Sequence, residues 1–193
     1  MTTFADSTTQ FLDDLDVIIA RDGFAVVPVG YGGCSVPGCC APSARLPWTY
    51  TIGLWQAGLP ELVLMGLEAV SAQFALNHVG YAAIAGQTII DERPFELEGV
   101  GVKVVDVPDE WLLTDPDRMG LWFGVRSRRD GPIRLPALRQ VMWADAQGRF
   151  PDDPSGRPSN AHHQPVLRDD PFSQPHVVSR SSRRPGRHHR QAA

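Results

Sequence analysis

The chain has 193 residues, 42% hydrophobic and 21% charged, with a formal net charge of −4. These values are typical of one globular domain with a proper core, and no apolar run approaches the ~20 residues of a membrane-spanning helix. All 22 acidic residues precede Arg180, whereas five of the 18 basic residues lie from that position onward, so residues 1–179 carry −9 and the tail +5. An acidic body argues against a specific nucleic-acid surface, although the Arg-rich tail could make weak contacts.

The N-terminal segment predicts an amphipathic helix within residues 1–22. Ser7 and Gln10 have the spacing of a capping box, and Gly23 is placed to end the helix in a left-handed conformation. No part of this N-terminal segment has the apolar core of a signal peptide, so we expect a cytoplasmic location. The apolar residues form one stripe: Phe11, Leu12, Leu15, Ile18 and Ile19.

The central strands are predicted next. Residues 24–29 indicate a strand that either lies at a sheet edge or ends at Pro28, because Pro28 has no amide hydrogen to donate. Apolar and polar residues alternate from position 48 to 54, the period of a half-buried strand. Gly58 and Pro60 predict a chain reversal, and the apolar run 62–67 predicts a strand buried on both faces.

The remaining elements complete a single α+β domain. A second helix is predicted over residues 69–85, and its alanines indicate close packing on the sheet. Short apolar runs at 88–90 and 95–97 precede a strand at 100–107, a short helix opening at Asp115 and a strand at 138–143. The sequence therefore predicts a mainly antiparallel sheet with two principal helices, the first within residues 1–22 and the second within an α+β region that covers residues 23–167. Residues 168–193 lack core-forming periodicity and are predicted to be a disordered basic tail.

Several short motifs, in order and spacing, resemble an uncharacterised bacterial family known as domain of unknown function 4262. The resemblance covers roughly residues 23–167 and brings no known activity, substrate or cofactor with it. The motifs lie at residues 48–54, 60–62, 121–123, 138–145, 148–151 and 164–167.

The chain departs from this family pattern at three positions. The family usually has His before the Pro-Glu pair, Trp after the Phe-Pro and an aromatic after the Trp-Phe. Here these positions hold Leu59, Asp152 and Gly124. Any chemistry that those family residues carry is therefore not expected in this chain.

A metal site at the cysteines is not predicted. Four residues separate Cys34 from the adjacent pair Cys39 and Cys40, and adjacent cysteines rarely both ligate zinc. A second ligand pair would have to come from His162 and His163, which are adjacent too. The interpretation that the cysteines are structural or incidental is favoured, with metal binding and redox use as the alternatives.

Polar residues beside aromatic ones are the candidate ligand-binding positions. Glu61 opens a buried strand, where a carboxylate is costly unless it is paired or receives hydrogen bonds; a general base with raised pKa is the alternative interpretation. Asp145 can close an Asx-type turn before Gly148 or line a pocket. We expect six residues to converge on one concave site, the alternative being that each polar group ties down its own turn: Tyr50, Glu61, Gln140, Trp143, Asp145 and Gln164.

The function predicted from these observations is a non-catalytic module that binds a small molecule or a protein partner. Neither a nucleophile elbow nor a His-Glu-x-x-His run occurs, and His78 is interpreted as a surface or half-buried histidine. The alternative is an enzyme with an unrecognised site, either a hydrolase or a flavin-dependent one. No cofactor can be assigned from the sequence.

Overall fold

The computed structural model describes residues 4–30, 47–87, 92–113, 116–129, 131–154 and 164–169. The helices are α1 (Phe4–Asp22), α2 (Ala69–Ile84), α3 (Glu110–Leu113) and α4 (Gly120–Ser127), with 3₁₀ turns at Leu54–Ala57, Pro116–Met119 and Leu167–Asp169. The strands are β1 (Ala25–Val29), β2 (Trp48–Ile52), β3 (Glu61–Met65), β4 (Phe95–Leu97), β5 (Val100–Val107) and β6 (Leu138–Trp143).

The described strands form one six-stranded sheet in the order β1-β2-β3-β6-β5-β4. β3 and β6 are parallel, and the other neighbours are antiparallel. The two long helices of the described residues are α1 and α2. The predicted α+β fold with a mainly antiparallel sheet and two principal helices is therefore confirmed.

The sheet is buried on both faces by helices. On one face, α2 packs against aliphatic side chains of the sheet that include Leu62, Leu64 and Val104. On the other face, α1, α3 and α4 pack against a core that includes Tyr50 and Val63. Close approach of α2 depends on Gly80, where a Cβ atom would lie 2.6 Å from Cζ of Phe24. This confirms the expected close packing of the second helix on the sheet.

Strand β2 corrects the prediction of a half-buried strand. All five of its residues are buried, including Thr49 and Thr51. Thr49 pairs with Leu64, which packs against α2, so the threonine face is covered by a helix rather than by solvent. The alternation of apolar and polar residues is present in β2, and its polar side is compatible with burial because the hydroxyl of Thr51 makes hydrogen bonds.

The start of α1 also differs from the prediction. The helix begins at Phe4, so Ser7 lies inside it and does not occupy a cap position. Its end agrees with the sequence, since Gly23 adopts φ +86° and its amide bonds Ile19 O at 2.9 Å. β1 lies at a sheet edge, as Pro28 indicates.

Some predicted features fall outside the described residues. They are the run at 88–90, Asp115, the three cysteines, His162 and His163, and the tail beyond residue 169. His78 is exposed on α2. None of the described helices combines the length and the apolar character that crossing a membrane requires.

Candidate functional site

Glu61 is a fully buried carboxylate held in a cage of four hydrogen-bond donors. Its Oε2 accepts from Thr51 Oγ1 at 2.6 Å, and its Oε1 accepts from the amides of Gly53 and Trp55 at 2.9 and 3.4 Å. The indole of Trp122, in α4, donates to the same Oε1 at 3.2 Å. We call these four donor residues and the carboxylate the Glu61 cage.

The backbone after β2 is shaped to deliver two of these donors. Gly53 has φ +124°, and a Cβ there would lie 2.9 Å from Gly23 O and Phe24 Cα. A residue with a side chain would be both strained and obstructed at this position. The glycine therefore lets the chain turn so that its amide points at Glu61.

Burial sets the protonation of Glu61. Loss of solvent raises the pKa of this carboxyl to about 7, and the hydrogen bonds from Thr51, Gly53, Trp122 and Trp55 oppose that rise. The group thus changes charge near neutral pH while remaining enclosed by protein atoms. A pKa near 7 suits a general base, but both oxygens of this carboxylate already accept hydrogen bonds from donors within the fold.

Tyr50, in β2, lies beside the Glu61 cage and contacts the first turn of α4. Burial raises the pKa of its phenol above the ordinary value, the negative charge of Glu61 acts in the same direction, and backbone hydrogen bonds with Leu121 and Trp122 oppose it. The structure therefore brings Tyr50 and Glu61 together at the first turn of α4. Tyr50 and Trp48 both belong to the core that packs under α1 and α4.

The side-chain amides of Gln140 and Gln164 each make two hydrogen bonds to backbone groups. The Gln164 amide donates to Trp143 O at 2.9 Å and accepts from Trp143 N at 2.8 Å. The Gln140 amide donates to Pro165 O at 2.7 Å and accepts from Leu167 N at 2.8 Å. We call this arrangement the glutamine clasp; it ties residues 164–169 to β6 and seats Leu167 in the core.

Asp145 lies in the turn after β6. Its Oδ1 accepts the amides of Gln147 and Arg149 at 2.9 and 3.0 Å, and its Oδ2 pairs with the guanidinium of Arg149 at 2.8 Å. This is the Asx-type turn that the sequence allowed. Trp143, half-buried at the end of β6, packs against the core under α2.

The structure separates the six predicted residues along the sheet. Glu61 pairs with Leu138 in the parallel β3–β6 ladder, and Asp145 lies seven residues further along, on the order of 20 Å at the rise of a strand. Tyr50 and Glu61 therefore meet at one end of the sheet, and Asp145 lies at the other. Gln140, Trp143 and Gln164 meet between them at the glutamine clasp.

A cleft of about 640 Å³ opens at the Asp145 end of the sheet. It lies between the β4–β5 hairpin and the turn after β6, and we call it the hairpin cleft. Of the six predicted residues it contains Asp145. Its lining residues are Pro94, Phe95, Glu96, Gly99, Val100, Gly101, Ala144, Asp145, Ala146, Gly148 and Phe150.

Sequence reasoning assigned no role to Thr51, Trp55 or Trp122 in the cage, or to the β4–β5 hairpin in the cleft. The residue in the sequence that could have indicated the cage is Glu61 itself, because a buried carboxylate requires hydrogen-bond donors. An indole is a candidate partner, since it donates a hydrogen bond and cannot accept one. Among the described residues, no three His, Cys, Asp or Glu side chains lie together in a way that could hold a metal ion.

Comparisons with known proteins place the chain in a family. Residues 18–157 match the family described as Domain of unknown function (DUF4262), which is more than two thirds of the sequence. No curated protein and no solved structure matched. The chain therefore belongs to the family of the domain of unknown function DUF4262.

Proposed function

We propose that this protein is a non-catalytic module that binds a small molecule in the hairpin cleft. The observation that carries the proposal is the cleft itself, whose volume of about 640 Å³ lies within the range typical of ligand pockets. It combines aromatic and aliphatic walls with a few fixed polar groups, the usual composition of such sites.

The chemistry of the lining favours a ligand with an apolar body and a positive group. Phe95, Val100 and Phe150 supply apolar surface. The charge of Asp145 is balanced by Arg149, whereas the side chain of Glu96 is exposed at the cleft. An organic ammonium ion with an aromatic or aliphatic body would complement both features.

The Glu61 cage supports a structural role for that carboxylate over a catalytic one. Glu61 has no solvent exposure, and both its oxygens accept hydrogen bonds from the fold. The alternative function, a hydrolase or flavin-dependent enzyme with an unrecognised site, is favoured by one observation, the pKa of about 7 at Glu61. Catalysis there would require the turn after β2 to move away from the carboxylate.

The proposal is tested by NMR titration with two probes that differ in charge, phenethylammonium and phenylacetate. We expect the ammonium probe to shift the amide resonances of Gly101, Ala146 and Gly148 in a saturable way, and the anionic probe not to do so. Native mass spectrometry of the purified protein provides an independent check for a retained small molecule.

Two arginine variants provide a matched comparison. Val100 lines the cleft and Val17 lies on α1, and both valines are exposed, so neither replacement removes core packing. Val100→Arg should abolish the shifts by filling the cleft and adding positive charge, whereas Val17→Arg should preserve them. Equal binding of the two probes, or identical behaviour of the two variants, would contradict the proposal.

A further inference from the structure

The solvent side of α2 carries an apolar stripe along its whole length. Val70, Phe74, Tyr81 and Ile84 are 75%, 46%, 48% and 42% exposed. With Asn77 they are spaced by four, three, four and three residues. At 100° per residue these five positions fall within an arc of about 80°, which is the narrow seam of a helix that packs against another helix.

This surface also lacks charge. No Asp, Glu, Lys or Arg occurs from position 69 to 87, although these residues make up 21% of the chain. A helix with one face on a sheet normally presents charged residues to solvent. Here the sheet side is apolar, and the solvent side carries the apolar stripe with Gln73 and His78 but no Asp, Glu, Lys or Arg.

The stripe is nearly symmetric about Asn77. Val70 and Ile84 lie seven residues to either side of it, and Phe74 and Tyr81 lie three and four residues away. A two-fold axis at Asn77 would place Val70 against Ile84 of a second copy and Phe74 beside the second copy's Tyr81. In such a dimer Asn77 would face its own counterpart and the stripe would lie against a copy of itself, an arrangement in which a neutral surface avoids repulsion between like charges.

We propose that this protein forms a two-fold symmetric dimer through antiparallel packing of α2 against α2 of a second copy. This surface is separate from the hairpin cleft and does not depend on the proposed binding function. The two half-exposed aromatic rings offer about 100 Å² each, and the four apolar anchors together offer about 400 Å² per copy. A pair then buries about 800 Å² from the anchors, below the ~1,200 Å² of stable interfaces, so we expect a reversible dimer of modest affinity.

Sedimentation velocity over a series from low micromolar to submillimolar protein is the test. The wild-type chain should shift from monomer to dimer with concentration. Phe74→Glu should remain monomeric throughout, because its charge would be buried in the apolar seam. Phe11→Glu is the matched control, since Phe11 on α1 is also 46% exposed, and it should dimerise like the wild type.

A mixing experiment tests the antiparallel arrangement. Tyr81→Lys alone should also be monomeric, whereas a mixture of the Phe74→Glu and Tyr81→Lys chains should form a heterodimer, because position 74 of one chain would face position 81 of the other. Melting curves and circular dichroism of each variant establish that it is folded. A wild type that stays monomeric at submillimolar concentration, or a Phe74→Glu variant that is folded and dimerises normally, would overturn the proposal.

Discussion

Trp122 Nε1 lies 3.2 Å from Glu61 Oε1 and donates a hydrogen bond to it across 61 positions of the chain. The bond links α4 to the first residue of β3 at a place that solvent does not reach. Trp122 also makes edge contacts with Trp55 and Phe123, at centroid distances of 5.7 and 5.1 Å. The position of α4 on the sheet is therefore coupled to the charge state of one buried carboxyl.

This coupling predicts a pH-dependent stability that Glu61→Gln should remove. The pKa of Glu61 rises from 4.5 to about 7 on folding, so between these values the folded protein binds a proton that the unfolded chain releases. The contribution of Glu61 to the free energy of unfolding should be at its maximum below about pH 4.5. It should fall by roughly 3 kcal/mol as the pH rises to about 7. Urea unfolding across this pH range measures the change.

The difference between wild type and Glu61→Gln isolates this group, because the other titrating groups are common to both. A glutamine can accept from Gly53 and Trp122 through its oxygen and donate to Thr51 through its nitrogen, so we expect the variant to fold. Glu96→Gln, at an exposed glutamate on β4, is the control and should retain the wild-type pH dependence. Parallel pH profiles for wild type and Glu61→Gln would contradict the prediction.

Replacing the indole should destabilise the protein more at high pH than at low pH. Trp122→Phe keeps an aromatic ring but removes the donor to Glu61, and a hydrogen bond to a charged group contributes about 1.5–3 kcal/mol. Below the pKa of Glu61 the carboxyl is neutral and the loss should be smaller. The free energy of unfolding at about pH 5 and about pH 9 gives the comparison.

The loss of ring volume lowers the free energy of unfolding by the same amount at both pH values. The difference between the effects of Trp122→Phe at the two pH values therefore reports the hydrogen bond alone. In the Glu61→Gln background this difference should disappear. An equal effect of Trp122→Phe at the two pH values would show that the indole contributes packing only.

Local patterns were sufficient to predict most of the elements, although α3 and the early start of α1 were not predicted. Strand pairing between distant parts of the chain could not be predicted from such patterns. The stripe of α1, the edge position of β1 at Pro28 and the Asx-type turn at Asp145 each depend on neighbours within a few residues. The parallel pairing of β3 with β6 joins Glu61 to Leu138, and no turn or spacing in the sequence fixes that register. Without it, the separation of Glu61 from Asp145 could not be anticipated.

The polar residues illustrate the same limit. The sequence offered two interpretations for Glu61, a base or an acceptor of backbone amides, and the structure shows the amides of Gly53 and Trp55 donating to it. The indole donor comes from α4, whose place on the sheet depends on the whole fold. Gln140 and Gln164 bond backbone groups about 21–27 residues away, which no local pattern reveals. Ligand binding by the six predicted residues stays a prediction.

Gly80→Ala should destabilise the protein although alanine is the better helix former. The exchange gains about 1 kcal/mol of helix propensity. However, the new Cβ would lie 2.6 Å from Cζ of Phe24, a buried ring, and overpacking of this kind costs about 1–3 kcal/mol. We expect a net loss, measured by thermal unfolding. Phe24→Leu in the same chain should recover part of it by freeing space, and Gly86→Ala, where nothing lies within 4 Å of the new Cβ, tests backbone strain alone.

Residues 164–169 are expected to stabilise the fold, whereas the residues that follow them are expected to be dispensable. Leu167 is buried in the core, and the glutamine clasp ties residues 164–169 to β6. A chain that stops after Asp169 keeps all of these contacts and should melt within about 2 °C of full length. A chain that stops after His163 loses the burial of Leu167, about 2 kcal/mol, and four hydrogen bonds of about 1 kcal/mol each. Its melting temperature should fall by at least about 10 °C.

The variant Gln164→Ala separates the two contributions. It removes the two bonds to Trp143 but leaves Leu167 in the chain, so its melting temperature should lie between those of the two truncated chains. A drop of about 10 °C for the chain that stops after Asp169 would show that the tail stabilises the fold. Unchanged melting of the chain that stops after His163 would show that the clasp contributes nothing, since Gln140 would then lose both backbone partners without cost.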